Sequence, residues 1–195
     1  MRKCENIFVF PHFRIFAFHQ CYTDLQMPQS LIILAHQGYQ DLEYAGTRSG
    51  LESAGYQITI ASTEVGTCTG GLGGSEQATI TLQDVDVSQF DKVAFVGGPG
   101  AAALMDDEDA KNIARETLKQ GKKLGAICIA PTILARAGVL KNKKATVWDS
   151  GGEQAALLES EGASYTGEGI TVDGDIVTAN GPPAAEEFGR VLAGL

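Results

Sequence analysis

Short apolar runs alternate along the chain with longer segments in which apolar residues recur every three or four positions. Short runs of this kind are typical of strands buried in a parallel sheet, and the longer period indicates amphipathic helices. The predicted strands are 31–35, 56–62, 78–82, 92–96, 123–128, 145–148, 170–172 and 176–179. The predicted helices are 41–54, 107–120, 131–137, 153–161 and 183–195. The segment 66–75 is rich in glycine and threonine and predicts a loop or a small hairpin.

This alternation predicts an α/β protein, a flavodoxin-like three-layer sandwich in which a mostly parallel central sheet carries helices on both faces. Asp173 and Gly174 separate the last two strands and favour an antiparallel hairpin there. Ligands of such sheets bind beyond the carboxyl ends of the strands. We therefore expect function in the segments that follow strands. These are 36–43, 97–101, 128–131, 148–149 and 180–182.

The first 26 residues follow neither period. Pro11, His12 and Arg14 interrupt their apolar stretch, so they match neither a signal peptide nor a membrane-spanning helix. We expect residues 27–195 to form one domain. Our hypothesis is that Met27 is the biological start and that 1–26 is an extension, non-native or disordered. The alternative is a weak targeting segment.

The composition of the chain bears on which binding partners and which cellular compartment are expected. The 195 residues are 44% hydrophobic and carry 15 Lys and Arg against 24 Asp and Glu, a formal charge of −9. An acidic chain repels nucleic acids and anionic membrane surfaces, so neither is an expected partner. The four cysteines are widely spaced, without the clustering of a zinc site or a disulfide framework. We expect free thiols, no metal and a cytoplasmic protein.

Cys128 lies where a predicted strand turns sharply into a predicted helix. Such a turn lifts its residue above the sheet, as in a nucleophile elbow, and the small residues Gly125, Ala126 and Ala130 permit the close packing that it needs. Free N–H groups at the start of the following helix favour the thiolate, which is the reactive form. The position also fits a buried cysteine that acts as a small hydrophobic residue, as we expect for the other three cysteines.

Two further features surround this cysteine in the predicted topology. The Gly97–Gly100 turn, Gly-Gly-Pro-Gly, follows a buried strand, and its Gly98 N–H could form an oxyanion hole with that of Ile129. A plain tight turn is the alternative. Glu43 lies in the first turn of the predicted helix 41–54, on the same side of the sheet. It is either a charge favoured by the helix dipole or a carboxyl that exchanges protons with the thiol.

Four motifs, in order, carry a resemblance that covers nearly everything after Met27. They are Gly-Tyr-Gln-Asp-Leu-Glu at 38–43, Val-Gly-Gly-Pro-Gly at 96–100, Ala-Ile-Cys-Ile-Ala-Pro at 126–131 and Gly-Asp-Ile-Val-Thr-Ala-Asn-Gly-Pro at 174–182. In these motifs the chain resembles the DJ-1/PfpI (ThiJ) superfamily, within the class I glutamine amidotransferase-like fold.

The resemblance implies a reactive Cys128, an acidic partner at Glu43 and oxyanion-hole amides at Gly98 and Ile129. It also implies a cofactor-free protein that forms a homodimer or a higher oligomer. The strand-ending segments would then line the pocket. The residues expected in that lining are Gly97, Pro99, Ala130, Trp148, Gly181 and Pro182.

One departure from the family pattern bears on the reaction. Peptidase-like members carry histidine directly after the nucleophile, where this chain has Ile129. The only histidine after Met27 is His36, at the end of the first strand. Without a base beside the thiol, attack on an amide is difficult. The chain therefore looks nearer to the branch that lacks this histidine.

Three functions compete on this basis. The first is a stress-response enzyme, a cysteine-dependent hydrolase or lyase that acts on reactive 2-oxoaldehydes or on glycated substrates, as a glyoxalase or deglycase does. The second is a non-enzymatic redox sensor or chaperone, in which Cys128 is oxidised to sulfenic and sulfinic acid. The third, a peptidase or amidase, requires His36 to reach the sulfur.

Overall fold

The computed structural model describes residues 27–195, so the hypothesis about residues 1–26 lies outside the described residues. The strands are β1 (Gln29–Ile33), β2 (Gln37–Tyr39), β3 (Gln57–Ser62), β4 (Gly66–Gly70), β5 (Ser75–Ala78), β6 (Ile80–Thr81), β7 (Lys92–Phe95), β8 (Lys123–Ile127), β9 (Lys144–Ala145), β10 (Ser164–Tyr165), β11 (Ile170–Asp173) and β12 (Ile176–Ala179). The α-helices are α1 (Asp41–Ser53), α2 (Glu108–Lys119), α3 (Pro131–Arg136), α4 (Glu153–Ser160) and α5 (Ala185–Gly194).

Seven strands form the central sheet in the order β11-β12-β8-β7-β1-β3-β6. All neighbours pair in parallel except β11 and β12, which form the antiparallel hairpin at one edge. The predicted α/β class and mostly parallel sheet are therefore confirmed. β12, β8, β7 and β1 are consecutive parallel neighbours, so the loops that follow these strands lie together at one end of the sheet.

Both faces of the sheet are buried because apolar side chains point alternately to its two sides. Leu31 and Ile33 of β1 pack into a core with residues of α2, α3 and α4. Ile32 and Leu34 belong to a second core formed with residues of α1 and α5. The molecule thus has three layers, as the sequence pattern predicts, and helix α1 is held firmly against one face.

Outside the central sheet, one prediction is confirmed and one is corrected. The small hairpin, one of the two structures predicted at 66–75, is present: β4 pairs antiparallel with β5, and β4 also pairs with β2 in a separate three-stranded sheet. The strand predicted at 145–148 is reduced to β9, which pairs with β10 outside the central sheet. Strands β9 and β10 have two residues each and lie far apart in the sequence, so local apolar runs do not predict them.

Candidate active site

A pocket of about 390 Å³ lies at the carboxyl end of the central sheet. It is lined by residues from the loops that follow the strands and from the start of α1. These residues are Gln40, Glu43, Gly98, Pro99, Cys128, Ile129, Trp148 and Pro182. The side chain of Cys128 is only partly buried, so the pocket gives solutes access to the sulfur.

Cys128 occupies the residue directly after β8 and has a φ of +62°, which non-glycine residues seldom adopt. Its N–H donates to the carbonyl of Ala179 at 2.8 Å, and its own carbonyl accepts from the N–H of Trp148 at 2.8 Å. These two hydrogen bonds hold the backbone in a conformation that costs roughly 1–3 kcal/mol. The strained turn carries the side chain into the pocket instead of into the core.

Glu43 lies in the first turn of α1 and is fully buried. Its Oε2 accepts a hydrogen bond from the N–H of Gly97 at 3.1 Å, while no group in residues 27–195 donates to Oε1 with good geometry. Burial raises the pKa of this carboxyl to about 7, against the opposing effects of the Cys128 thiol and the Gly97 N–H. Glu43 therefore gains and loses its proton near neutral pH.

Gly97 lies between Cys128 and Glu43 and leaves no room for a larger residue. A Cβ atom on Gly97 would lie 2.6 Å from the Cβ of Cys128 and 2.8 Å from Oε2 of Glu43. The next residue, Gly98, has a φ of +106°, and a Cβ there would lie 2.5 Å from the backbone nitrogen of Gln40. Both glycines are thus needed for the cysteine and the carboxyl to approach each other.

The thiol of Cys128 has a pKa raised to about 12. Burial is the largest cause, and the negative charge of Glu43 is the second. The N–H groups of Gly98 and Ile129 act in the opposite direction, because they stabilise negative charge on the sulfur. The expected resting thiolate is therefore corrected: when Glu43 is ionised, the neighbouring thiol keeps its proton. The first proton leaves this pair of groups with a pKa of about 7.

Comparison with known proteins identifies the family. The family model described as "DJ-1/PfpI family" matches residues 29–194. The chain belongs to the DJ-1/PfpI family. The resemblance carried by the four sequence motifs is thereby confirmed.

Three relatives illustrate this membership. The chain is 33% identical over 132 residues to "Deglycase PH1704" of Pyrococcus horikoshii, which covers 68% of this chain and 78% of that protein. It is 27% identical over 164 residues to "Glutathione-independent glyoxalase DJR-1.2" of Caenorhabditis elegans, a match that covers 82% of this chain and 83% of that protein. It superposes on the crystal structure of a ThiJ/PfpI domain protein from Brachyspira murdochii with a TM-score of 0.81 and 32% identity, covering 85% and 94% of the two chains.

The remaining residues that the DJ-1/PfpI resemblance places in the pocket take different positions. Pro99, Trp148 and Pro182 line it, and Trp148 is 41% exposed at its edge. Ala130 does not line the pocket, because it is fully buried in the core on the α2 and α3 side. Gly181 is also buried and begins the turn that presents Pro182.

Gln40 lines the pocket although the sequence analysis did not single it out. Its backbone N–H donates to the carbonyl of Gly97 at 3.0 Å, and its side-chain oxygen accepts from the N–H of Leu42 at 2.8 Å. Gln40 is therefore the N-cap of α1, and its amide nitrogen remains available to a ligand. Its place as the third residue of the Gly-Tyr-Gln-Asp-Leu-Glu motif, just before the predicted start of the first helix, could have indicated it.

His36 does not line the Cys128 pocket. Its Nδ1 atom lies 4.0 Å from the sulfur of Cys68, and its ring lines a different cavity, with Thr63 and Glu64. The peptidase or amidase hypothesis requires His36 to reach the sulfur of Cys128, and it does not. Like the DJ-1/PfpI members that lack a histidine after the cysteine, this chain has Ile129 beside the sulfur.

Two features are absent from residues 27–195. No group of three or more histidine, cysteine, aspartate or glutamate side chains is arranged there to hold a metal ion. Within the same residues, no helix is both long enough and apolar enough to span a bilayer.

Proposed function

We propose that this DJ-1/PfpI protein is a cofactor-free enzyme that converts small 2-oxoaldehydes, or their adducts with amines, into 2-hydroxy acids. The observation that carries the proposal is the juxtaposition of Cys128 and Glu43, in which a strained, accessible sulfur meets a buried carboxyl with a pKa of about 7. Relatives named deglycase and glutathione-independent glyoxalase support this substrate class.

The first step is addition of the sulfur to the aldehyde. The Glu43 carboxylate accepts the thiol proton as the sulfur of Cys128 bonds to the aldehyde carbon, so no free thiolate has to form beforehand. A base with a pKa near 7 suits this role at neutral pH. The N–H groups of Gly98 and Ile129, which already stabilise negative charge on the sulfur, lie beside the oxygen that becomes negative. Protonation of this oxygen gives a hemithioacetal.

The second step moves hydrogen within the bound adduct. Glu43 removes the proton from the former aldehyde carbon and returns it to the adjacent carbonyl carbon, while the hydroxyl proton moves from the oxygen of the first carbon to the oxygen of the second. The first carbon is thereby oxidised and the second is reduced. The product is a thioester of a 2-hydroxy acid, and water cleaves it to free the acid and the thiol. Methylglyoxal and water thus give lactate, with no external oxidant or reductant.

Adducts of the aldehyde with an amine enter the same sequence. In such an adduct the former aldehyde carbon carries a hydroxyl group and an amine, and the sulfur of Cys128 displaces the amine, which leaves with one proton. The resulting hemithioacetal is the one formed from free aldehyde. The deglycase and glyoxalase reactions therefore share all later steps.

The pocket suits a small substrate. Its volume is about 390 Å³, and its wall is mainly apolar, with Pro99, Ile129, Trp148 and Pro182 around the sulfur. An apolar wall strengthens the electrostatic effect of the few polar groups that face the reacting atoms. The free amide nitrogen of Gln40 can donate to the second carbonyl of a 2-oxoaldehyde and so orient it.

The experiment is to measure lactate formation from methylglyoxal by the natural chain, Cys128→Ser and Cys68→Ser. The proposal expects turnover to be lost in Cys128→Ser and kept in Cys68→Ser, which removes the other cysteine of the described domain. Full turnover by Cys128→Ser would show that the sulfur is not the nucleophile and would refute the proposal.

The redox-sensor reading is the second candidate, because the sulfur is accessible and lies beside a carboxyl that can hydrogen-bond a sulfinic acid. Oxidation by peroxide starts from the thiolate, which the raised pKa of Cys128 disfavours. Mild peroxide treatment followed by intact mass measurement separates the two readings. Rapid addition of oxygen at Cys128, without methylglyoxal turnover, would favour the sensor.

A further inference from the structure

A second pocket lies at the opposite end of the central sheet from Cys128. It has a volume of about 530 Å³, and Tyr56, Lys92, Lys122 and Lys123 contribute to its lining. Lys92 and Lys123 are the first residues of the adjacent strands β7 and β8, whereas Cys128 follows the last residue of β8. A strand of that length separates the two sites by roughly 16 Å.

Lys92 is the unusual member of this group, because it is only 4% exposed. In the part of the chain that the structure describes, its ammonium group makes no ion pair and no hydrogen bond. Its one specific contact is with the ring of Tyr56, whose centroid lies 5.7 Å from Nζ. Burial and the neighbouring charge of Lys123 lower the pKa of Lys92, against the opposing effect of the Asp91 carboxylate. A buried lysine that forms no ion pair is costly.

The two other lysines retain donors that can face the pocket. Lys122 donates to the carbonyls of Ser88 and Phe90, and Lys123 pairs with Asp175. Each lysine ammonium has three N–H donors. One donor therefore remains free on Lys122, two remain on Lys123, and all three remain on Lys92.

One carboxylate in the lining, Asp91, offsets part of this positive charge, because it acts to raise the pKa of Lys92. Asp91 accepts a hydrogen bond from the backbone N–H of Gln29 at 2.9 Å, and within residues 27–195 it forms no ion pair, so three lysines stand against one carboxylate in the lining. The pocket therefore gathers donors and positive charge in a protein whose formal net charge is −9. Elsewhere on such a surface anions are repelled.

We propose that this pocket binds a small oxyanion, held by the ammonium groups of Lys92, Lys122 and Lys123. Lys92 supplies a charge that forms no ion pair within residues 27–195, and its ammonium lies over the ring of Tyr56. Phosphate fits this set best, since its several terminal oxygens accept from more than one lysine. Carboxylates share the same chemistry with fewer oxygens.

The test uses the full chain and inorganic phosphate as the probe. Thermal unfolding is measured in phosphate, acetate and chloride at equal ionic strength, for the natural chain, Lys92→Met and Lys119→Met. Lys92→Met keeps the length of the side chain without its charge, and Lys119 is an exposed lysine that pairs with Glu116 on α2. We expect phosphate to raise the melting temperature of the natural chain and of Lys119→Met, and Lys92→Met to weaken phosphate binding about tenfold or more.

A footprinting measurement on the natural chain keeps the test decisive if Lys92→Met folds poorly. Phosphate should slow acetylation of Lys92 and Lys123, read by peptide mass spectrometry, and leave Lys119 unchanged. If acetate protects as well as phosphate does, the site accepts carboxylates too, as the proposal allows. No protection by either anion, or phosphate stabilisation that survives in a folded Lys92→Met, would overturn the proposal.

Discussion

The two cysteines of the described domain, Cys128 and Cys68, lie in surroundings that differ in almost every respect. Cys128 is lifted by a φ of +62° at the turn after β8 and faces a pocket beside Glu43. Cys68 lies within β4, is fully buried and belongs to the apolar core on the α1 and α5 side. Both are free thiols.

The comparison shows that a neighbouring histidine is not what distinguishes Cys128, the cysteine that we propose to react. Cys68 is the one with a histidine nearby, 4.0 Å away, yet it has no accessible pocket. Cys128 has a carboxyl neighbour and backbone N–H groups directed at its sulfur. The strand-to-helix turn, which exposes the side chain where those groups meet, makes the difference.

Replacing each cysteine in turn should give the largest difference in activity between the two sites. We expect Cys128→Ser to lower kcat/KM for methylglyoxal by about 10³-fold or more, since loss of a nucleophile removes the whole covalent path. Cys68→Ser should leave kcat/KM within a factor of about two. Steady-state kinetics with a circular-dichroism check of folding makes the measurement. Comparable losses in both variants would erase the distinction between the two sites.

Glu43→Gln should have the next largest effect, because it keeps the hydrogen bond from Gly97 but removes the base. Loss of a general base lowers rates by about 10²–10⁴-fold, and we expect kcat to fall within that range. Glu52→Gln, on the exposed face of the same helix, serves as the control. If both variants retained activity, proton transfer by Glu43 would be ruled out.

Gly97→Ala should disturb the approach of the two groups without removing either. The added methyl would lie 2.6 Å from Cβ of Cys128, so one of the two groups must shift. A displacement of about 1 Å can cost 10²-fold in rate, and we expect kcat to fall by about that factor. Gly151→Ala, where a Cβ would meet no atom within 4 Å, should be neutral. Unchanged kinetics in Gly97→Ala would mean that the packing is looser than the structure indicates.

The free energy of unfolding should depend on pH because Glu43 is buried. Its folded pKa of about 7 lies above the ordinary 4.5, so its contribution to stability is full below pH 4.5 and is lost as the pH rises through 7. Glu43→Gln lacks this loss. We expect it to gain about 3 kcal/mol relative to the natural chain between pH 4 and pH 8. Urea unfolding at the two values measures the gain, and parallel pH profiles would contradict a raised carboxyl pKa.

The sequence predicts the layered fold and the position of the sulfur because both depend on local patterns. Apolar runs mark the central strands, and the small residues around Cys128 mark a sharp turn. The glycines and threonines at 66–75 left both a loop and a hairpin open, and the pairing of β4 with the distant strand β2 is set by tertiary packing. A local pattern cannot show such pairing.

The chemistry of the site was harder to predict than its location. The expected thiolate followed from the start of a helix alone, whereas burial and the Glu43 charge act in the opposite direction and depend on packing from three elements. Gln40 was missed because its position in the pocket follows from capping α1 and bonding to Gly97. Ala130 was predicted to line the pocket, but a small residue at this position can equally well pack in the core. The sequence does not distinguish the two positions.

The most direct test of the account is the pH dependence of Cys128 alkylation in the natural chain and in Glu43→Gln, both carrying Cys68→Ser. The account predicts that the rate in the parent rises with a midpoint near pH 7, where Glu43 becomes able to accept the thiol proton. In Glu43→Gln the rise should move to higher pH, because the thiol must ionise without a base beside it and burial still raises its pKa. The same midpoint in both proteins would show that Glu43 does not govern the reactivity of Cys128.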